Sequence, residues 1–94
     1  MSSIDIRQDH ALSAEQARTA IDEAARKLDE RFGLRSSWNG DRLDFSGSGV
    51  DGAIELLPGQ VRVTATLGFL LSAMKGMVEA EIRRVLAEKL GPAS

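Results

Sequence analysis

The amino-acid sequence predicts an α+β domain of order β-α-β-β-β-β-α: one antiparallel sheet, a β-meander plus an N-terminal strand, with two helices packed on one face. Three observations carry this. Apolar residues recur at spacings of three and four over 17–32 and again over 69–90, the period of a helix. From Leu34 to Leu67 they alternate at period two, the period of a strand with one wet face. That alternating stretch is cut by three glycine-containing turns. A sheet with one apolar face and two helices with apolar stripes bury each other most simply in two layers.

The first strand is read at Ser3–Arg7, where Ile4 and Ile6 point one way and Asp5 and Arg7 the other. Its place in the sheet is expected beside the last strand, which sets the two helices side by side. The first helix opens at Ser13, a good N-cap, with Gln16 three residues on to complete a capping box. Leu12 and Ala17 are spaced for a hydrophobic staple across that cap. Ala17, Ile21, Ala24, Ala25, Leu28 and Phe32 form its apolar stripe. On its other side, Asp22–Arg26, Glu23–Lys27 and Arg26–Glu30 have i,i+4 spacing, each worth about 0.2–0.5 kcal/mol. Gly33 stands where a left-handed residue ends a helix.

In the meander, Leu34, Ser36 and Trp38 share a face. Asn39-Gly40 is the central pair expected of a type I′ hairpin, which needs positive φ at both positions. Leu43 and Phe45 point inward on the return strand, and Arg42 and Asp44 outward. Gly47-Ser48-Gly49 is the second turn. Val50, Gly52, Ile54 and Leu56 share the next inner face. Pro58-Gly59 is the third turn, with proline first and glycine second. Val61, Val63, Ala65 and Leu67 complete the inner face.

The last helix is expected as one element from Phe69 to Leu90, stopped by Gly91-Pro92 ahead of a frayed tail at Ala93 and Ser94. On a helical wheel Leu71, Met74, Val78, Ile82, Val85 and Leu86 make a core-facing band. Leu70, Ala73, Met77 and Ala80 fall on a different side, with Gly76 near its edge and Lys75 flanking it. Glycine inside a helix costs about 1 kcal/mol relative to alanine. Close approach by a neighbour would give it a reason. Either the first helix or a turn covers this second strip, or it is an interaction surface, since contiguous exposed apolar area marks such sites.

The 94 residues are read as a single domain over 1–94 with an ordered core of about 3–90. A hydrophobic share of 43% with 28% charged residues is that of a folded chain. The net charge of −2 lacks the basic excess expected of a nucleic-acid binder. The absence of cysteine excludes thiol chemistry, disulfides and thiolate metal sites. No apolar run reaches the roughly 20 residues of a transmembrane span, and the start has no secretory apolar region, so the cytoplasm is the expected compartment.

Candidate chemistry is sparse. His10, the single histidine, lies between the first strand and the helix cap; it reads as ordering the helix entry rather than as a general base. No nucleophile–base pair can be assembled from one histidine and no cysteine. Asp51 between glycines reads as a turn aspartate bonding its own backbone, and a lone carboxylate is a poor cation site. Gly47-Ser48-Gly49 has no helix after it and so lacks the build of a phosphate cradle. No catalytic, cofactor-binding or metal-ligating residue is assigned.

The pieces Ser48-Gly-Val-Asp-Gly52 and Leu67-Gly-Phe-Leu-Leu-Ser-Ala-Met-Lys-Gly76, the acidic-then-basic amphipathic end, and the opening from Ile4 to Arg18 with its His-x-Leu-Ser-x-Glu pattern resemble the polyhydroxyalkanoic acid system family over nearly the full chain. The resemblance implies a bacterial protein of polyester storage granules, and it carries over no catalytic residue. The function expected is non-enzymatic: binding to polyhydroxyalkanoate granules or granule-coat proteins through Leu70, Ala73, Lys75, Gly76, Met77 and Ala80. The same strip could serve a homodimer. The alternative is a small enzyme or carrier of an apolar hydroxyacyl ligand, with a pocket between sheet and helices lined by Trp38, Phe45 and Phe69. A pocket of about 300 Å³ or more with convergent polar groups would favour it.

Overall fold

A computed structural model describes residues 2–47 and 49–91. Ser48 and the tail after Gly91 lie outside the described residues, and with them parts of the second turn and of the expected helix stop. The element order is β1 (Ser2–Asp9), α1 (Ala14–Phe32), β2 (Arg35–Asn39), β3 (Arg42–Gly47), β4 (Val50–Leu57), β5 (Gln60–Leu67), α2 (Phe69–Ser72) and α3 (Lys75–Leu90). The five strands form one antiparallel sheet of order β1-β5-β4-β3-β2. The first strand therefore sits beside the last, with Ile4 opposite Ala65 and Ile6 opposite Val63.

Alternation decides which face is buried. Ile4 and Ile6, Leu43 and Phe45, Val50 and Ile54, and Val61, Val63, Ala65 and Leu67 all lie under the helices, while Asp5, Arg42 and Thr66 face water. From above, α1 inserts Ile21, Ala24 and Leu28, and α3 inserts Val78, Ile82, Val85 and Leu86. Burying one such aliphatic side chain is worth about 1.5–3 kcal/mol, so this layer is the main source of stability. Ala17, Ala20, Ala24 and Ala25 of α1 are buried, and their small size lets α1 lie close on the sheet.

The α1 termini follow their local chemistry. Ser13 Oγ accepts from Gln16 N–H and Gln16 Oε1 accepts from Ser13 N–H, the reciprocal capping box. Gly33 closes the helix at φ 65°, its N–H donating to the Asp29 carbonyl. The expected charge ladder along α1 is rearranged. Asp22–Arg26 forms at 3.0 Å. Lys27 and Glu23 instead reach across to Glu88 and Lys89 of α3, and Arg26–Glu30 is not an ion pair among the described residues. Pairs that tie two helices replace pairs within one because α3 lies alongside.

Two further expectations are corrected. The β2–β3 hairpin turns on Gly40-Asp41, with Asn39 paired to Arg42. Only Gly40 has positive φ, at 65°, which matches the glycine-first requirement of a type II′ turn. Asn39 keeps a ladder position and avoids the strained left-handed region. The last helix is also not continuous: Ala73 and Met74 form a turn between α2 and α3. Ser72 Oγ donates to the Gly68 carbonyl at 2.9 Å and sits 3.3 Å from that of Leu67. Such back-bonding competes with the helical ladder and bends it. The break turns Met74 out of the band assigned to it, to 42% exposure, while Leu71 still packs on the core from α2 and Val78 from α3.

Candidate functional site

The α2–α3 corner begins where the chain leaves β5. Gly68 N–H donates to Gly49 O at 2.7 Å, which pins the corner to the β3–β4 turn. A Cβ at Gly68 would come within 3.4 Å of Gly49 backbone atoms, so the two segments meet at a spacing that favours glycine. Leu71 alone of the next four residues packs against the core. Phe69 and Leu70 are held outward, 87% and 80% exposed. Past the break Met77 is 58% exposed, and Ala73, Lys75, Gly76 and Ala80 are exposed as well.

All six residues singled out from the sequence thus stand at the surface, on α2, its exit turn and the first turns of α3. Two more large apolar side chains, Phe69 and Met74, are exposed on the same stretch. Phe69 was expected in a pocket and Met74 in the core band. Phe69 follows Gly68, whose extended backbone leaves that side chain no preceding turn to pack on, a geometry the sequence does not show. Gly76 is not mid-helical, since it is the second residue of α3, and nothing lies within 4 Å of where its Cβ would be. No neighbour among the described residues accounts for it.

Charge around this corner is sparse. Lys75 makes none of the ion pairs found among the described residues. Further along α3 the charges neutralise one another: Arg84 bonds Glu81 and Glu88, Arg31 approaches Glu81 at 3.4 Å, and Arg83 bonds Glu79. The Arg84 guanidinium holds the Glu81 carboxyl below its ordinary range, with Arg31 adding to the effect. Lys27 does the same for Glu88.

The centre of the space between sheet and helices, around Phe45, is filled. A gap of about 10 Å³ remains among Leu28, Phe45, Leu71 and their neighbours. Trp38, Phe45 and Phe69 do not meet around a pocket. Phe45 is buried in the core. Trp38 lies under the Arg18 guanidinium, 4.0 Å from the ring centroid, with its Nε1 3.4 Å from Asp22 Oδ1. Arg18 also donates to Gly40 O at 2.9 Å, so this cluster clamps the β2–β3 hairpin onto α1.

His10 occupies a different place. It is 7% exposed, at the foot of α1. Its backbone N–H donates to Gly59 O at 3.0 Å, and its Nδ1 accepts from Leu12 N–H at 3.1 Å. An accepting Nδ1 puts the proton on Nε2. That Nε2 is buried with no partner among the described residues. An open, mainly apolar cleft of about 330 Å³ lies beside it, lined by Leu12, Ala17, Leu56, Leu57 and Pro58 with Asp41 at the rim. The cleft reaches the volume of a ligand site. Its polar groups do not converge, because Nε2 is screened from solvent and Asp41 is exposed. The ordering role at the helix entry is the one its bonds support. Asp51 is exposed on the outer face opposite Thr66. Among the described residues no three His, Asp or Glu side chains cluster as metal ligands would.

A family model described as "putative polyhydroxyalkanoic acid system protein" matches residues 4–90 of the chain. No curated protein and no solved structure matches it.

Proposed function

The chain belongs to the polyhydroxyalkanoic acid system family, and from that premise we propose that it is a non-enzymatic member that docks on polyhydroxyalkanoate granules, or on proteins coating them, through the α2–α3 corner. The observation that carries the reading is the exposure of Phe69 and Leu70 at 87% and 80% on a corner anchored by Leu71. Contiguous exposed apolar side chains are costly for a monomer and mark interaction surfaces. No helix among the described residues is long and apolar enough to cross a membrane, so any contact with a hydrophobic phase through a helix is made from the side. A lysine beside an apolar helical face suits that geometry, and Lys75 stands there with no carboxylate paired to it among the described residues.

The alternative of an internal hydroxyacyl pocket is disfavoured by the filled core. The test is co-sedimentation of the purified protein with native granules and with bare polymer particles, beside a Leu70→Asp/Met77→Asp variant shown to be folded. Wild-type binding that the variant loses is the expected result. Failure of the wild type to sediment with either material would sink direct docking.

A further inference from the structure

We propose that the free edge of β1 is a self-association surface, on which two copies pair antiparallel to make one continuous sheet. β1 is hydrogen-bonded to β5 on one side and, among the described residues, to no strand on the other. It is eight residues long, contains no proline, and pairs with β5 in unbroken register from Ser2–Leu67 to Asp9–Gln60. Proline, a bulge and short length, which block pairing, are absent from it, and its outward charges Asp5, Arg7 and Asp9 leave the register to decide between attraction and repulsion. The opposite edge, β2, is only five residues long.

One backbone bond fixes which backbone groups are free. His10 N–H donates to Gly59 O, directly opposite in the β1–β5 register. Hydrogen-bonded pairs alternate along an antiparallel ladder. The even-numbered residues of β1 therefore bond to β5, and Ser3, Asp5, Arg7 and Asp9 turn their N–H and C=O groups to the open edge. A two-fold axis through Ile6 uses the whole strand and joins these free groups to their own copies. It also sets Asp5 directly opposite Arg7 of the second copy, twice. Moving the axis to Asp5 or to Arg7 would put like charges face to face, which is unfavourable.

Within one chain the outward charge is left half-matched. Asp5 is bonded by Arg62 at 2.9 Å, while Arg7 forms none of the ion pairs found among the described residues. The paired sheet would line Arg62, Asp5 and Arg7 of the second copy across the outer face. On the helical layer, α3 bonds α1 through Glu81 and Glu88. Its side away from α1 carries Gly76 and the Glu79–Arg83 pair. That side overlooks the β1 edge, and a second α3 running antiparallel would meet small and self-complementary side chains there.

The test is sedimentation equilibrium of wild type, Arg7→Asp and Arg7→Pro, with backbone amide exchange followed residue by residue. Proline at position 7 removes an N–H that points away from β5, so it spares the native ladder while blocking the edge. Both variants are expected to stay folded and to associate about tenfold more weakly or worse, since Arg7→Asp sets carboxylates opposite each other. In the wild-type dimer the amides of Ser3, Asp5, Arg7 and Asp9 are expected to become protected. A monomeric wild type, a dimer whose odd-numbered β1 amides exchange freely, or unchanged association of both variants would each overturn the proposal. The Leu70→Asp/Met77→Asp variant is expected to dimerise normally. Loss of the dimer in that variant alone would place the contact at the α2–α3 corner and also overturn it.

Discussion

Gly52 shows how tightly one position can be specified. A Cβ built on it would stand 2.1 Å from the Thr64 carbonyl oxygen and 2.8 Å from both the Ala65 Cα and the Phe45 ring. The Phe45 ring, directly across the ladder, occupies the space a side chain would need. Overpacking a core by one methyl costs about 1–3 kcal/mol, and here two of the obstacles are backbone. Gly52→Ala is expected to destabilise by at least the upper end of that range, read as a lowered denaturant midpoint. Gly76 is the contrasting case, since nothing surrounds its missing Cβ. Gly76→Ala is expected to raise stability by up to about 0.5–1 kcal/mol, the usual gain where alanine replaces a helical glycine. The same variant assayed for granule co-sedimentation shows whether a partner needs the bare backbone. A more stable protein that binds less would identify Gly76 as a contact; a more stable protein that binds equally would make it incidental.

Among the elements, α1 and α3 are joined by ion pairs as well as by apolar packing. Lys27–Glu88, Arg31–Glu81 and Glu23–Lys89 cross between them. Glu81 and Glu88 titrate below their ordinary value of 4.5 because cations are bonded to them, and Asp5 titrates below 3.8 because Arg62 bonds it. A carboxyl depressed in the folded state adds stability above its unfolded value and forfeits it as pH falls through the folded one. The melting temperature is therefore expected to hold from neutral pH down to about 5 and to fall below about 4.5, with a smaller drop in concentrated salt, because these pairs are exposed and screened. A thermal-melt series in pH and sodium chloride checks this. The elements also show where sequence reading reached. The capping box of α1, Gly33 and the inward faces of β1, β3, β4 and β5 were legible because each rests on local periodicity or a single favoured backbone conformation; the place of β1 beside β5 is a long-range pairing that periodicity does not fix, and β2 buries no residue of its own. The break at Ala73-Met74 was not legible. It goes with Ser72 Oγ donating back to the Gly68 carbonyl and with Gly68 docking against Gly49, and neither shows in a helical wheel.

For the molecule as a whole, the same division separates what the site revealed from what it concealed. The exposed positions from Leu70 to Ala80 could be named because they fall off the core-facing stripe. Phe69 and Met74 could not, since their exposure follows from the corner's geometry. The burial of His10 Nε2 was also hidden, because it requires the start of α1, the end of β4 and the Pro58-Gly59 turn to come together beside it. The pairing of β1 with β5 has a consequence in time as well as in space. The turns of the meander join strands adjacent in the sequence, so β2 to β5 can zip up through local contacts. Ile6 must wait for Val63, across nearly the whole intervening chain, and such distant pairings are slow to form. Until β1 arrives, the edge of β5 that it covers stands open, and its inner row of Val61, Val63 and Ala65 is without its neighbour. During refolding, β1, which precedes the meander in the sequence, is thus expected to be the strand that completes the sheet.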